Sequence, residues 1–360
     1  MRLEIEQHHL QTLLARVIGA VKSRNTIPVL ANVKLEASDT LKATASDLDM
    51  EIQATAAATV TTPGATTVSA AMLRDIVSKL PKGSLISLST EDGYLHIQAG
   101  RSKFKLATLP VEDFPVMASN EYQSRLEFQG MELRNALDKT IWAVSTEETR
   151  YYLNGVLMQH NEGRASFTAT DGHRLAHYKD GETEPFPDVI IPTSAVKQII
   201  GTLDDGPAVV EVSVTKIRLT FGDVVIVSKV VDGTYPDWTR VIPKANVNSI
   251  TLQSVDAKAA IDRVCTVATD RTRAVKMSIA SGEMTLIVTD ATGGSATEVL
   301  EVSQSGDDVD IGFNSKYALE AIAQADKGDV TIQYGGPGDP ALVKYEKEPD
   351  LMAVLMPMRI

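Results

Sequence analysis

A short acidic turn with a histidine is the first place where the sequence could do chemistry. Asp171 and His173 are two residues apart, and Ser166 and Ser194 are candidate nucleophiles near them in the chain. Together these residue types would suggest a hydrolase, in which histidine activates serine and aspartate orients histidine. A triad is defined by geometry, however, and no serine lies in a Gly-x-Ser-x-Gly nucleophile elbow. Asp171-Gly172-His173 is therefore interpreted as a turn that presents an imidazole, and we predict no catalysis.

Two further patterns could bind a metal or a phosphate. His8 and His9 are adjacent, so on a helix their side chains point about 100° apart, and no other ligand is near. The glycine-rich run 335–339 is not followed by Gly-Lys-Ser/Thr, and Pro337 removes an amide donor. This run is typical of a hairpin loop. We therefore expect no metal and no other cofactor.

Length and composition limit the class of protein. The chain has 360 residues, 43% of them hydrophobic, and a mean hydropathy of −0.05, which favours two or three domains. No run approaches the ~20 apolar residues that span a bilayer, and the N-terminal MRLEIEQHHL has no signal-peptide pattern. The single cysteine, Cys265, excludes an internal disulfide framework. A cytoplasmic location is expected.

Amphipathic helices of two types are each predicted three times, at intervals of about 120 residues. Apolar residues recur with the spacing of a one-sided helix. In the first type they are Leu10, Leu13, Leu14, Val17, Ile18, Val21; Leu133, Ala136, Leu137, Ile141, Val144; and Ala257, Ala260, Ile261, Val264, Cys265, Ala268. In the second type they are Met72, Leu73, Ile76, Val77, Leu80; Val196, Ile199, Ile200, Leu203; and Tyr317, Ala318, Ala321, Ile322, Ala325. Gly83, Gly206 and Gly328 follow the second type, as is usual at helix ends.

Strand-like alternation fills the segments between these helices, for example at 85–88, 103–106, 209–214, 224–230 and 284–288. Each copy thus predicts an α+β domain in which two helices back an antiparallel sheet. We expect domains at 1–123, 124–247 and 248–360, with linkers near 120–126 and 244–250. Tandem domains related by a constant rotation form either a ring or a filament. A head-to-tail homodimer of six domains would close a ring.

The charge is unevenly distributed. A net charge of −12 argues against a protein held on nucleic acid by phosphate neutralisation. The six helical segments nevertheless carry about +7 together, which leaves about −19 for the rest of the chain. These segments are 8–24, 71–83, 131–150, 193–203, 256–276 and 314–327. A weakly basic layer inside an acidic shell suits a ring that lets DNA pass through it. Alternatively, helix surfaces simply carry more Lys and Arg.

Four segments resemble those of a known family in order and spacing. They are Arg-Tyr-Tyr-Leu-Asn-Gly at 150–155, Thr-Ala-Thr-Asp-Gly-His-Arg-Leu at 168–175, the stretch 228–243, and Met-Pro-Met-Arg-Ile at 356–360. On these segments the chain resembles, along its whole length, the bacterial DNA polymerase sliding clamps, the beta subunit of DNA polymerase III. The resemblance implies three tandem clamp domains and a non-enzymatic homodimeric ring around double-stranded DNA. Opening of the ring would then require an outside ATPase.

The resemblance also implies a pocket for short motifs of the polymerase III catalytic subunit, the clamp loader and other proteins. Its matching positions are Leu153, Thr170, Gly172, His173, Arg174, Leu175, Pro236, Arg240, Val241, Val354, Met356, Pro357, Met358 and Arg359. Apolar side chains and flexible methionines make a cleft that tolerates varied ligands. Arg174, Arg240 and His173 are expected to fix polar groups at its rim. Alternatively, Met356 and Met358 fill the core at a chain end.

DNA contact and dimerisation are assigned by the same resemblance. DNA contact is implied for Arg24, Arg150, Tyr151 and Tyr152, and Lys22 is added on spacing; the tyrosines could instead be half-buried in a sheet. The matching dimer positions are Ile76, Phe104, Leu106, Thr266, Val267, Glu298 and Glu301. Thr266 departs from the usual aliphatic residue, and the acidic run is reduced to its two glutamates. The rival function is a module that binds DNA electrostatically. Such a module would stay bound when the DNA is made linear, whereas a ring would be lost.

Overall fold

A computed structural model describes residues 1–22, 26–117, 121–268, 274–290 and 293–360. The contacts among these residues separate the chain into two compact units. Unit 1 consists of Met1–Arg134 and Ser194–Val230, and unit 2 consists of Asn135–Thr193 and Val231–Ile360. The predicted partner-binding residues all belong to unit 2.

Six α-helices occur in the described ranges, and they confirm the six predicted from apolar spacing. They are α1 (Gln7–Val17), α2 (Ala70–Lys79), α3 (Gly130–Ile141), α4 (Thr193–Thr202), α5 (Ser254–Val264) and α6 (Ser315–Ile322). Among the described residues, none of these helices has the length and apolar character needed to cross a membrane.

The helices form where apolar spacing and capping residues coincide. α1 buries Leu10, Leu13, Leu14 and Val17 on one face. Ser69 caps α2, because its side chain accepts a hydrogen bond from the Met72 amide. Asn314 caps α6 by accepting from the amides of Lys316 and Tyr317. These caps fix where α2 and α6 begin relative to the strands before them.

The strands of the described residues, in chain order, are β1 (Arg2–Glu6), β2 (Asn32–Ala37), β3 (Leu41–Ser46), β4 (Met50–Ala56), β5 (Thr59–Thr62), β6 (Gly64–Ser69), β7 (Leu85–Glu91), β8 (Tyr94–Ala99), β9 (Ser102–Leu109), β10 (Ser124–Gln129), β11 (Gly155–Asn161), β12 (Arg164–Thr170), β13 (Arg174–Glu182), β14 (Val189–Pro192), β15 (Pro207–Val212), β16 (Lys216–Phe221), β17 (Val224–Lys229), β18 (Asn248–Gln253), β19 (Ala274–Ala280), β20 (Glu283–Thr289), β21 (Ser295–Glu301), β22 (Ser303–Ser305), β23 (Val309–Asn314), β24 (Asp329–Tyr334), β25 (Ala341–Tyr345) and β26 (Glu348–Leu355).

Unit 1 contains one antiparallel sheet in the order β10-β15-β16-β17-β4-β3-β2-β6-β9-β8-β7-β1-β5. β17 and β4 join its two parts, with Ile226 opposite Ile52. Both of these side chains are buried. Helices α1 and α2 pack against each other, and α1 also packs on β3 and β4.

Unit 2 contains two antiparallel sheets. The larger has the order β14-β11-β12-β13-β26-β25-β24-β18-β22, and the smaller has the order β21-β20-β19-β23. Helices α5 and α6 pack together and contribute Ile261, Val264 and Ile322 to a large apolar core. Phe313 of β23 is buried in the same core. Strands β18, β24, β25 and β26 of the larger sheet and strands β19, β20 and β23 of the smaller sheet therefore surround this core.

The predicted strands are confirmed, but the predicted linkers extend too far. β10 begins at Ser124 and β18 at Asn248, inside the stretches interpreted as linkers. In β10, Leu126 and Phe128 point into the core while their neighbours are exposed. Polar residues at the start of each stretch indicated a linker, and the short alternating strand that follows them was therefore not predicted. The domain boundaries at 123/124 and 247/248 stay predictions.

Candidate functional site

The C-terminal strand brings the parts of the predicted partner-binding site together. β26 pairs with β13, so that Val354 lies opposite Leu175. Past the end of β26, the Met356 amide donates to the His173 carbonyl oxygen at 2.9 Å. Residues about 180 positions apart in the sequence are neighbours because one sheet contains both strands.

The turn between β12 and β13 is held by its own side chains. The Thr170 hydroxyl donates to the Arg174 carbonyl oxygen at 2.7 Å and accepts from the Gly172 amide at 3.1 Å. Asp171 Oδ1 accepts from the amides of His173 at 2.9 Å and Arg174 at 3.0 Å. Gly172 has a φ of +88°, which favours glycine. The turn is thereby fixed, and the His173 side chain faces solvent.

These contacts are incompatible with a catalytic triad at this turn. The Asp171 carboxylate accepts from the turn amides and from Arg174 Nε at 3.0 Å, and no contact among the described residues joins it to the His173 ring. Ser166 is fully buried, and its hydroxyl donates to the Gln159 carbonyl oxygen at 3.3 Å. Within the described ranges, no group of three or more His, Cys, Asp or Glu side chains could hold a metal ion.

Arg174 does not lie at the rim, and that prediction is wrong. Its side chain is 8% exposed and pairs with Asp171 at 3.0 Å and with Glu320. Its guanidinium lies over the ring of Tyr317 at 4.3 Å and over that of Trp142 at 5.2 Å. A buried cation requires such compensation, and aromatic faces supply part of it. Arg174 therefore connects the β12–β13 turn to α6. Together with Tyr317 and Glu320 it forms one side of the candidate site, which is called the wall below.

The floor beneath these residues is apolar. Leu175 and Val354 belong to a buried cluster with Leu157, Ile190, Trp238 and Leu342. Trp238 Nε1 donates to Gln159 Oε1 at 2.7 Å, which satisfies its only donor. A polar anchor at one edge thus orients a large ring under the site.

The segment that contains Trp238 also supplies exposed groups. A short 3-10 helix, Trp238–Val241, begins after Asp237, whose carboxylate accepts from the Thr239 amide. Arg240 is almost fully exposed and pairs with Asp237 at 2.9 Å, while Val241 and Pro236 face solvent. Arg240 is thus accessible to solvent, and its place at the rim of a partner-binding site stays a prediction.

The remaining predicted residues divide into buried and accessible ones. Leu153 is buried and belongs to the framework below the surface. Met356 and Met358 are 38% and 39% exposed, Pro357 is half-buried and Arg359 is exposed. The methionines are therefore only partly packed, which argues against the alternative that they simply fill a core.

The predicted DNA-contacting residues are spread over both units. Arg24 lies outside the described residues, and Lys22 pairs with Asp47 at 2.9 Å. Arg150 is held by two hydrogen bonds from its guanidinium to the Glu147 carboxylate, at 2.8 and 2.6 Å. Tyr151 is exposed and Tyr152 half-buried in a short helix, Glu148–Leu153, so the alternative of packing within a sheet is wrong.

In unit 1, the predicted dimer residues lie on and beside β9. β9 pairs with β8 over residues 102–107 and with β6 only through Thr108 and Leu109. Among the described residues, positions 102–107 have no strand on their second edge. Phe104 and Leu106 lie opposite Ile97 and Leu95 on the core face, and Ile76 of α2 is half-buried. The outer face of β9 carries Lys103 and Lys105.

In unit 2, the matching residues lie on β21 and after α5. β21 pairs with β20, and no described strand covers its other edge. Glu298 points to the core face and pairs with Arg263, while Glu301 lies on the outer face opposite Glu283. Thr266 is exposed and donates to the Arg263 carbonyl oxygen at 2.8 Å, and Val267 is half-buried.

Sequence models of one family match almost the whole chain in three consecutive segments. The N-terminal, central and C-terminal domains of the DNA polymerase III beta subunit match residues 1–118, 127–237 and 239–359. The chain belongs to the DNA polymerase III beta subunit family, the beta sliding clamps. The prediction of three tandem clamp domains of α+β class is therefore confirmed.

Individual clamps agree with this family along the full length of both chains. The beta sliding clamps of Caulobacter vibrioides strain NA1000 and Escherichia coli strain K12 are 40% and 32% identical, each covering 100% of both sequences. The crystal structure of the Bartonella birtlesii sliding clamp bound to griselimycin is 38% identical, with a TM-score of 0.97 and full coverage. The Caulobacter crescentus polymerase III beta structure is 40% identical, with a TM-score of 0.93 and full coverage.

Several residues of this clamp's candidate site are not evident in the sequence. Tyr317 and Glu320 hold Arg174, and Trp238 forms the floor. Tyr317 and Glu320 are three residues apart on a predicted helix, so their shared face could be inferred. Nothing in the sequence indicated that this face meets Arg174.

A buried histidine supports the floor of the site. His177 is 1% exposed, stacks on Trp238 with ring centroids 4.2 Å apart, and has Nδ1 2.9 Å from Thr168 Oγ1. Its Nε2 has no hydrogen-bond partner among the described residues. Burial, with a smaller contribution from Lys179, lowers the pKa of His177 to about 4. The imidazole is therefore neutral in the folded protein at neutral pH.

We predict that His177 destabilises the fold as the pH falls. An unfolded histidine has a pKa of about 6.5, so below that pH the unfolded chain binds a proton that the native imidazole excludes. The contribution of the neutral His177 imidazole to the free energy of unfolding is complete above pH 7. It falls by about 3 kcal/mol in total as the pH drops from 6.5 to 4. Urea unfolding should be measured for the wild type and for His177→Phe between pH 7 and pH 4. Over this range the wild type should lose about 3 kcal/mol more unfolding free energy than the variant. A difference independent of pH would contradict the assignment.

Proposed function

We propose that this chain is a ring-forming processivity clamp without catalytic activity. Two copies associate head to tail, encircle double-stranded DNA and tether DNA polymerase III and other proteins to it. The family membership gives this proposal its general form. The observation that carries it is that β9 and β21 each have a strand edge that no other described strand covers.

An uncovered strand edge is a template for pairing with another chain. If β9 of one copy pairs with β21 of the next, the two faces of the joined strands complement each other. On the core face, Phe104 and Leu106 would meet Leu300 and Val267. On the outer face, Lys103 and Lys105 would lie near Glu301. This pairing is heterologous, so it forms a ring only if the rotation from one copy to the next closes. We propose that two copies, with six domains, complete the ring.

The residues assigned to the interface by resemblance would not contribute equally to the proposed dimer. Glu298 is already compensated by Arg263 within its own chain. Exposed Thr266 supplies little apolar area where an aliphatic side chain would supply more. Apolar contact then depends mainly on Phe104, Leu106 and Val267. The proposed domain limits remain 1–123, 124–247 and 248–360.

DNA contact is proposed for Lys22, Arg24, Arg150, Tyr151 and Tyr152. Lys22 and Arg150 already have carboxylate partners, Asp47 and Glu147. Each cation would therefore exchange one partner for a phosphate, which keeps every single contact weak. Weak, replaceable contacts allow sliding, and topological linkage rather than adhesion prevents loss of the clamp. This role belongs to the cytoplasm, where the chromosome is replicated.

Partner proteins are proposed to bind at the site on unit 2 as short, largely extended motifs. An apolar side chain would lie over Leu175 and Val354, with Met356 and Met358 adapting to its shape. His173 and Arg240 are accessible at the edge and can receive polar groups. The polymerase catalytic subunit and the clamp loader are the partners proposed, and the proposal includes no cofactor.

We predict that charge reversal on β9 weakens the dimer. Lys103→Glu with Lys105→Glu places two carboxylates beside Glu301 of the neighbouring copy, and an increase in Kd of roughly tenfold, about 1.4 kcal/mol, is expected. Sedimentation equilibrium should find about twice 38.8 kDa for the wild type and a lower mean mass for the variant. Adding Glu301→Lys should restore part of the affinity.

The matched control for this charge reversal is Lys244→Glu with Lys344→Glu. It changes the net charge equally at two exposed sites on unit 2 that belong to neither β9 nor β21. The control should remain dimeric. Equal weakening by both double variants would show that net charge, not edge pairing, is responsible.

We predict that retention on DNA depends on topology. The clamp is loaded on closed circular DNA with a clamp loader and ATP and then passed through a gel-filtration column in high salt. It should co-elute with closed or nicked circles and be lost after cleavage by an enzyme that cuts once, because a ring slides off the free ends. Equal retention on linear DNA would instead favour the rival function of electrostatic binding.

We predict that deletion of residues 356–360 abolishes binding of a clamp-binding peptide. The deletion removes Met356, Pro357, Met358 and Arg359 but no residue of β9 or β21, so the mass should still correspond to a dimer. Calorimetry measures the affinity and sedimentation the mass. Unchanged peptide affinity would refute the site.

A further inference from the structure

The last five residues cross between two strands of unit 2 and are attached to both. Met356 donates its amide to His173 at the start of β13, and Met358 donates its amide to the Gly312 carbonyl oxygen of β23 at 2.8 Å. Gly312 and Met358 form an isolated antiparallel bridge. This terminal segment, residues 356–360, therefore spans from the nine-stranded sheet to the edge of the four-stranded sheet.

Gly312 leaves the space that this crossing requires. Its position on β23 is buried, and Lys276 of β19 pairs with it on the other edge. A Cβ at position 312 would lie 2.8 Å from the Met358 carbonyl oxygen and would also collide with Ile360 Cγ2. Ile360 is exposed and its side chain can move, but the Met358 oxygen belongs to the backbone. Glycine is therefore required at position 312 because any side chain there would collide with the terminal segment.

We propose that Gly312 is a positioning residue of the partner-binding site. By admitting the Met358 backbone against β23, it holds Met356, Pro357 and Met358 where a bound motif would meet them. This inference depends on the proposed function, in which those three residues contact the partner. Gly312 itself would touch no ligand.

The same strand also positions the opposite wall. Two residues after Gly312, Asn314 caps α6, and this helix carries Tyr317 and Glu320, which hold Arg174. Docking of the terminal segment on β23 thus sets the methionines in register with that wall. A displaced segment would leave the wall intact but remove one side of the site.

The test is Gly312→Ala, with Gly338→Ala as the matched control. A Cβ at Gly338 meets no atom within 4 Å, and the residue lies in an exposed loop. Hydrogen exchange of the C-terminal peptide, read by mass spectrometry, should show the Met358 amide exchanging at least tenfold faster in Gly312→Ala. Calorimetry with a clamp-binding peptide should show a Kd at least tenfold higher. Gly338→Ala should match the wild type in both.

A second pair of variants separates this role from a general effect on folding. In a chain that lacks residues 356–360, the added methyl group no longer meets Met358 or Ile360. Gly312→Ala should therefore lower the thermal stability of the full chain and leave the shortened chain unchanged. An equal loss of stability in both backgrounds would overturn the proposal, as would an unchanged exchange rate of the Met358 amide in the full-length variant.

The outcomes also distinguish this inference from the proposed function. If deletion of 356–360 abolishes peptide binding while Gly312→Ala frees the segment without weakening binding, the positioning role of Gly312 fails and the site stands. If neither the deletion nor the substitution changes peptide affinity, the site itself is refuted.

Discussion

The pairing of β13 with β26 is the constraint on which the candidate site depends. It places Leu175 beside Val354 and continues through the hydrogen bond from the Met356 amide to His173. Without this pairing, residues 173–175 and 354–356, which are distant in the sequence, would not be neighbours. Because a shift of one residue in register turns every side chain to the other face, the pairing decides which residues form the floor and which reach solvent.

Charge compensation decides the roles of the arginines around that floor. Arg174 is buried and its charge is met by Asp171, Glu320 and two aromatic rings, so it acts as a structural tie. Arg240 has one exposed carboxylate partner and remains accessible. The same residue type is thus buried and structural at position 174 but exposed and accessible at position 240. Burial also determines the charge of His177. A buried charge without a partner is unfavourable, so the imidazole stays neutral beneath Trp238.

Periodicity in the sequence predicts the elements well and their partners poorly. All six helices follow from apolar spacing because each buries one face, and the internal repeat indicates three similar units. The starts of β10 and β18 are hidden by polar residues in adjoining stretches. The burial of Arg174 and the placement of Tyr317 and Trp238 depend on contacts between segments distant in the chain. No local pattern encodes such contacts, so the residues of the candidate site were predicted by resemblance alone.

The charges on β9 and β21 also determine which contacts are excluded. Two copies of β9 laid edge to edge would bring Lys103 and Lys105 against each other, and two copies of β21 would bring together Glu301 and its neighbour Glu283. Both isologous arrangements are penalised by repulsion, whereas the mixed one is not. The exposed edges are thereby protected from the indiscriminate self-association that leads to fibrils, even though each remains open to its complement.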